Sequence, residues 1–498
     1  MADLAGGSAG WLGRWWRRRQ EAPQSGGVVL PVDRALALLE MQVCEGLAQR
    51  PPAPPTAQHA GRLDVLEAPR NAFGRHVLEV TASGPQQAVA LAAGMALSGL
   101  RASVFLEGRE LSAAREGLGN CAERLLPLVV HAAGGSAGHG PYHALAESGL
   151  FQALASSGQE ALDLCLVARW LAERALLPGL VASDGHAYQR LELPDAELVR
   201  SYLGPPDAPV ESPGEAQRLL FGNERPRLLR WFDPERPVGT GTLRSPGEAE
   251  RASVARRLFF EDALPELARR GMNELARLTG RPLSFLRRHR LEDAELVLVG
   301  QGAVAESACA VADWLRAERG WRVGVLGITW LRPFPAAELA EALRGRGAVA
   351  VVEALAAAPH GASAPLLAEV EAAAGGRYVS ALCAGTGPDP ASLVGLCARL
   401  RQAEPPRRVD LEQRAVPETT GFPRRDALLQ AVAGAYPTLR QAGIGDADSG
   451  PPEPEGVRSA GLLGAEAALP ADAPTQLAEA LAAEAGPWLR GGESRPAP

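Results

Sequence analysis

The chain contains no lysine; all 51 of its basic residues are arginine. That excludes a phosphate-cradling P-loop lysine, a Schiff-base lysine and a Ser–Lys dyad. Asparagine is nearly as rare, found only at Asn71, Asn120, Asn223 and Asn273. With the abundance of Ala, Gly and Pro, this fits the mutational bias of a GC-rich genome. The six cysteines (Cys44, Cys121, Cys165, Cys309, Cys383 and Cys397) are scattered, with no C-x-x-C pair. Iron–sulfur clusters need thiolates at short, regular spacing, so none is expected here and any electron carrier belongs to a partner. No apolar run reaches the roughly 18–20 residues that span a bilayer, and a cytoplasmic location is the expectation. A net charge of -7 gives no electrostatic footprint for nucleic acid.

What is present suits two or three domains, since 498 residues can bury more than one core. Residues 1–26 form a Trp/Arg-rich tail, read as flexible. Membrane contact through its Trp and Arg side chains is the lesser reading. A first α/β domain is expected over 27–195. Its opening helix is Asp33–Leu47, its strands His76–Val80, Ala102–Leu106, Pro127–His131 and Leu180–Ser183, with a helix at Gln159–Leu177. Residues 196–290 read as a long connector with one helix at Glu250–Thr279, and 291–402 as a second domain. A C-terminal extension, 403–498, carries a helix at Arg424–Ala435 and is expected to be partly disordered. Alternation of β and α predicts two doubly wound parallel sheets.

The most informative segment is Glu274–Pro335. It holds a polar helix end, a strand at Glu295–Val299, a turn at Gly300-Gln301-Gly302, an Ala-rich helix and a strand at Arg322–Ile328, breaking at Arg332-Pro333. Gly300 to Ala305 also fits a G-x-G-x-x-A dinucleotide loop, but the next strand ends Gly327-Ile328-Thr329-Trp330 without the carboxylate that would hold a ribose. His139-x-x-x-His143 has the spacing of a helical metal pair. Gly138, Gly140 and Pro141 argue against a regular helix there, and no metal site is expected.

The segment resembles the second domain of the 2-oxoacid:ferredoxin oxidoreductases, in which "LTGR" precedes the first strand and "RPF" ends the second. Here these are Leu278–Arg281 and Arg332–Phe334. The first domain resembles the same family at Arg70–Gly74 leading into Val77–Val80, at Ala122–Pro127, at Leu154–Leu164 and at Asp184-Gly185. The resemblance covers roughly residues 30–400. It implies an α/β fold of two halves, one like the pyrimidine domain of thiamine enzymes and one like the C-terminal domain of transketolase. It further implies an α-type subunit, not active alone, that caps a thiamine diphosphate site held mainly by a partner. The partner would also hold the Mg ion and the iron–sulfur clusters. The reaction implied is oxidative decarboxylation of a 2-oxoacid to an acyl-CoA, with electrons passing to a ferredoxin-like acceptor. The diphosphate motif is missing from this chain, Gly445-Asp446 being the nearest approach with no asparagine after it.

The family's catalytic positions are not kept. Its glutamate, four residues after the strand-end glutamate, falls on Ser83, or with a small insertion on Pro85 or Gln86. Its carboxylate-binding arginine falls on Gly135, and its substrate-side threonine is nearest Thr56. Glu79, Gln86 and Glu107 are the candidates to replace the catalytic group, with Ser83 and Gln87 as cofactor-side residues. The second reading is a catalytically degenerate scaffold that keeps the fold and the subunit interface.

Overall fold

The computed structural model describes residues 27–49, 70–133, 138–184, 188–230, 246–256, 261–355, 364–383, 387–388 and 390–411, with Pro423, Arg424, Ala427 and Ala431. From the amino end come β1 (Val28–Pro31), α1 (Val32–Val43), β2 (Gly46–Gln49), β3 (Leu78–Thr81), α2 (Pro85–Leu97), β4 (Ala102–Glu107) and α3 (Leu111–Glu123). Next are β5 (Leu128–Ala133), the one-turn α4 (Gly140–His143), β6 (Phe151–Ala155), α5 (Gly158–Ala175), β7 (Gly179–Ser183) and β8 (Tyr188–Leu191). The connecting region holds α6 (Ala196–Leu203), β9 (Pro209–Glu211), α7 (Glu215–Phe221), β10 (Glu224–Pro226), α8 (Pro246–Arg256) and α9 (Leu264–Thr279). The second half runs β11 (Leu286–His289), β12 (Leu296–Gln301), α10 (Gly302–Arg319), β13 (Val323–Ile328), β14 (Trp330–Arg332) and α11 (Ala336–Leu343). It ends β15 (Ala348–Ala354), α12 (Pro365–Ala374), β16 (Val379–Cys383), α13 (Pro390–Leu400) and β17 (Arg408–Asp410).

Two α/β sheets result. The first has seven strands in the order β14-β6-β7-β5-β4-β2-β3, parallel except for β14 against β6. The second has six, β11-β13-β12-β15-β16-β17, parallel except for β11 against β13. Parallel strands with covered faces read as unbroken apolar runs, and β12, Leu-Val-Leu-Val-Gly-Gln, is buried along its whole length.

The sheets share a core. One apolar cluster packs α1, α5 and α9 onto the first sheet, and another packs α10 and α13 onto the second. The cluster between them joins Val104, Leu128 and Leu180 to Val299, Leu326 and Val351 of the second half.

Several elements depart from the sequence expectation. The opening helix stops at Val43, because Cys44 turns extended and β2 begins at Gly46. β2 and β6 are short runs whose pattern does not separate them from helix. The helix expected at Glu250–Thr279 is two, α8 and α9. Most surprising in sequence terms, the Trp330–Arg332 end of the "second-domain" segment forms the outer strand of the first sheet. The helix expected at Arg424–Ala435 lies mostly outside the described residues.

The connecting region is fastened by arginines. Arg225, fully buried, donates to the last-turn carbonyls of α5, Glu173 O at 2.8 Å and Arg174 O at 2.9 Å. Those carbonyls have no partner within the helix, so a cation there satisfies both hydrogen bonding and the helix dipole. Among the described residues no helix is long and apolar enough to cross a membrane.

Candidate functional site

From β2 the chain moves to β3 on one side, then to β4 on the other. The crevice outside the carboxyl ends of β2 and β4 is therefore the topological switch point, where open α/β sheets bind ligands. Most of the expected site residues fall at this end. Glu79 lies on the edge strand β3, where Gln49 of β2 donates to its Oε1. Burial raises the Glu79 carboxyl above its ordinary value. Ser83 follows in the loop to α2, and both its N–H (2.7 Å) and its hydroxyl (2.6 Å) donate to Gln87 Oε1. Gln86 is exposed in the first turn of α2.

Glu107 ends β4, two strands from Glu79, and is already occupied. Its side chain caps the short 3-10 turn Gly108–Glu110 and pairs with Arg109 at 2.6 Å. The structure thus sets Glu79 on β3, Ser83 in the loop that follows and Gln87 in the first turn of α2, and leaves Glu107 as a capping residue. Thr56 and Gly135 lie outside the described residues.

A second group of polar side chains meets where the carboxyl ends of both sheets face each other, and sequence reasoning missed it. Asp184, at the end of β7, accepts the Ala303 N–H at 2.6 Å. His139 Nε2 lies 2.9 Å from Asp184 Oδ1 and 3.0 Å from Oδ2. Gly302 has φ +56, and a Cβ there would fall well inside van der Waals contact of Asp184 Oδ2. Glycine stands at 302 for this reason. The amino end of α10, which a dinucleotide pyrophosphate would need, is filled by the chain's own carboxylate.

His139 and His143 take separate partners. A one-turn helix does form at Gly140–His143, contrary to the expectation from Gly140 and Pro141. His143 Nε2 is 2.9 Å from Gln301 Nε2, and its Nδ1 lies 3.8 Å from Glu369 Oε1. Arg332 forks onto Glu369 at 2.8 and 2.9 Å. Burial would raise the Glu369 carboxyl, but His143 and Arg332 outweigh it and hold it at about 2. His131 points into the core and meets Glu40 at 2.7 Å.

The phrases that carried the resemblance turn out to touch one another. Gly280 of Leu278–Arg281 ends α9 in the left-handed conformation. Arg281 forks onto Asp163 of α5 at 2.8 Å for each bond and reaches Glu192 at 2.9 Å.

Comparisons with known proteins bear on the family of the chain. The family model described as "Pyruvate flavodoxin/ferredoxin oxidoreductase, thiamine diP-bdg" matches residues 86–254. The model "Pyruvate:ferredoxin oxidoreductase core domain II" matches residues 294–391. The chain belongs to the 2-oxoacid:ferredoxin oxidoreductase family. Pyruvate synthase subunit PorA of Methanothermobacter thermautotrophicus is 31% identical over 220 residues, 42% of this chain and 50% of the relative. The same-named subunit of Thermotoga maritima is 32% identical over 236 residues, 46% of this chain and 54% of the relative. The chain thus spans about half the length of the curated relatives it matches. In fold it is similar to a solved 2-oxoglutarate:ferredoxin oxidoreductase from Magnetococcus marinus, with a TM-score of 0.52 and 16% identity, over 76% of this chain and 66% of that one. Within this family, then, the chain keeps the framework of both sheets while the loop after β3 carries Ser83-Gly84-Pro85-Gln86.

Proposed function

We propose that the chain is the α-type subunit of a cytoplasmic 2-oxoacid:acceptor oxidoreductase complex. In it, residues 27–195 cap the pyrimidine side of a thiamine diphosphate held mainly by a partner subunit. Residues 196–290 connect this half to a second domain over 291–402. The partner would supply Mg and the iron–sulfur clusters, and a ferredoxin-like protein would take the electrons. The observation that carries the reading is Glu79. It is the carboxylate on the switch-point side of the edge strand, with its pKa raised by burial, in a chain that carries the family's thiamine-binding domain.

Thiamine diphosphate, when bound, would supply the nucleophilic carbon that 2-oxoacid decarboxylation needs. Its aminopyrimidine needs a carboxyl group as hydrogen-bond partner on a ring nitrogen. The residues here fit that pyrimidine contact and not the diphosphate. Glu79 would hold the ring nitrogen and carry a proton there, and Gln49 fixes its carboxylate. Ser83, in the loop after β3, and Gln87, in the first turn of α2, would be the cofactor-side residues.

The outer surface of α2 supports a partner on this side. The helix is 13 residues without a charge, Pro-Gln-Gln-Ala-Val-Ala-Leu-Ala-Ala-Gly-Met-Ala-Leu. Gln86, Gln87, Ala90 and Gly94 nevertheless face outward. A helix that is apolar or uncharged all round suits burial in an assembly.

Coexpression with the partner subunits and an assay of 2-oxoacid-dependent dye reduction test the proposal. Glu79→Gln is expected to lower the rate about 100-fold or more while the complex still copurifies. Full activity in that variant would refute the role of Glu79. A partner without thiamine diphosphate would refute the proposal as a whole. The alternative is a catalytically degenerate assembly subunit of a related redox complex, favoured by the capping duty of Glu107 and the closed Ser83–Gln87 pair. It predicts a stable complex with no 2-oxoacid-dependent turnover.

A further inference from the structure

Below the sheet's carboxyl end, unlike donors converge in the core beneath α5. Glu40 of α1, His131 of β5 and Cys165 of α5 present ligand atoms that all lie within 4.8 Å of one another. Glu40 Oε1 is 2.7 Å from His131 Nε2 and 3.5 Å from Cys165 Sγ, and Cys165 Sγ is 3.9 Å from His131 Nε2. Their relative exposures are 0%, 2% and 0%. Cys44 follows Glu40 by one helical turn, its N–H donating to Glu40 O at 2.7 Å. Arg169, one turn after Cys165 on the same face of α5, sits 3.6 Å from Glu40 Oε2 and donates to Ala102 O at 2.8 Å and to Ser103.

We propose that this cluster binds a zinc ion, with Glu40, His131 and Cys165 as ligands. Carboxylate, imidazole and thiolate together suit zinc rather than the hard cations that take oxygen alone. In a tetrahedral zinc site the S···N and S···O separations are about 3.6 Å and N···O about 3.4 Å. The two sulfur separations already lie close to that. The Glu40–His131 pair, 2.7 Å apart, opens by about 0.7 Å as the ion replaces their hydrogen bond.

Charge balance also favours the site. Zinc's two positive charges are met by the Glu40 carboxylate and the Cys165 thiolate. The ion and its ligands are then neutral together, as deep burial requires. Arg169 faces the second oxygen of Glu40, the position from which an outer partner orients a ligating carboxylate. His131 Nδ1 has no hydrogen-bond partner. Because every donor is enclosed, the ion would enter as the chain folds.

The test uses the full chain purified from cells grown with zinc or, separately, with cobalt as the only added transition metal. Expected are close to one zinc per chain by mass spectrometry and, in the cobalt form, a sulfur-to-cobalt charge-transfer band in the near ultraviolet. Cys165→Ser should lower bound metal about tenfold or more. Cys309→Ser, a buried thiol elsewhere in the fold, should leave it unchanged. Wild-type protein holding no more metal than Cys165→Ser would overturn the proposal. So would a wild-type cobalt form lacking the sulfur band, which decides the matter even if the variant fails to fold.

Discussion

Gly302 and Asp184 are a matched pair, and each explains the other. The left-handed backbone at Gly302 and the space left by its missing side chain admit the Asp184 carboxylate to the amino end of α10. Gly302→Ala should therefore destabilise the fold by roughly 2–4 kcal/mol, through backbone strain and steric overlap together. Denaturant unfolding would measure it. Glu369 gives a pH test. A carboxyl whose folded pKa lies below its unfolded value contributes stability above the unfolded value and loses it as pH falls through the folded one. Glu369 is held at about 2 against an ordinary 4.5, so its contribution should be present above pH 4.5 and fade between there and 2. In Glu369→Gln the acid limb of a Tm–pH curve should be shallower and Tm near neutrality lower.

At the scale of elements, α2 offers the clearest prediction. A Cβ at Gly94 meets nothing within 4 Å. Gly94→Arg should leave the isolated chain as stable as before or slightly more, since glycine is a poor helix former. It should abolish copurification of the partner, because the new charge stands on the uncharged face. Equal recovery of partner with wild type and variant would place the interface elsewhere. The long apolar runs, β12, β13 and β15, were legible in the sequence because they are continuous and bounded by turns. So was α5, whose polar residues break an otherwise apolar run at helical intervals. β2 and β6 were not, since a strand of only four or five residues beside a helix looks like more helix. At the site, Glu79, Ser83 and Gln87 could be placed by counting from a strand end. The Asp184–His139 and Glu40–His131–Cys165 groupings could not. Their members stand 45, 91 and 34 residues apart in the chain, and only the packing of α1, α5 and the two sheets joins them.

For the molecule as a whole, the two halves are less separable than their family matches suggest. β14 pairs with β6, Thr329 O accepts the Leu154 N–H at 2.7 Å, and one apolar cluster runs through both sheets. A chain ending at residue 290 should therefore aggregate, or bind a hydrophobic dye strongly, where the full chain does not. Gel filtration and dye fluorescence would show this. A monodisperse, cooperatively folding 1–290 fragment would mean that the shared core is dispensable.

The position of β14 also bears on biosynthesis. On the ribosome, β6 emerges on the order of 180 residues before its outer neighbour, a delay of about ten seconds or longer at typical elongation rates of ~5–20 residues per second. Throughout that interval the backbone donors and acceptors along Phe151–Ala155 stand unpaired on one side. The nascent chain is thus exposed to mispairing with other chains until Trp330–Arg332 arrives to cover that edge.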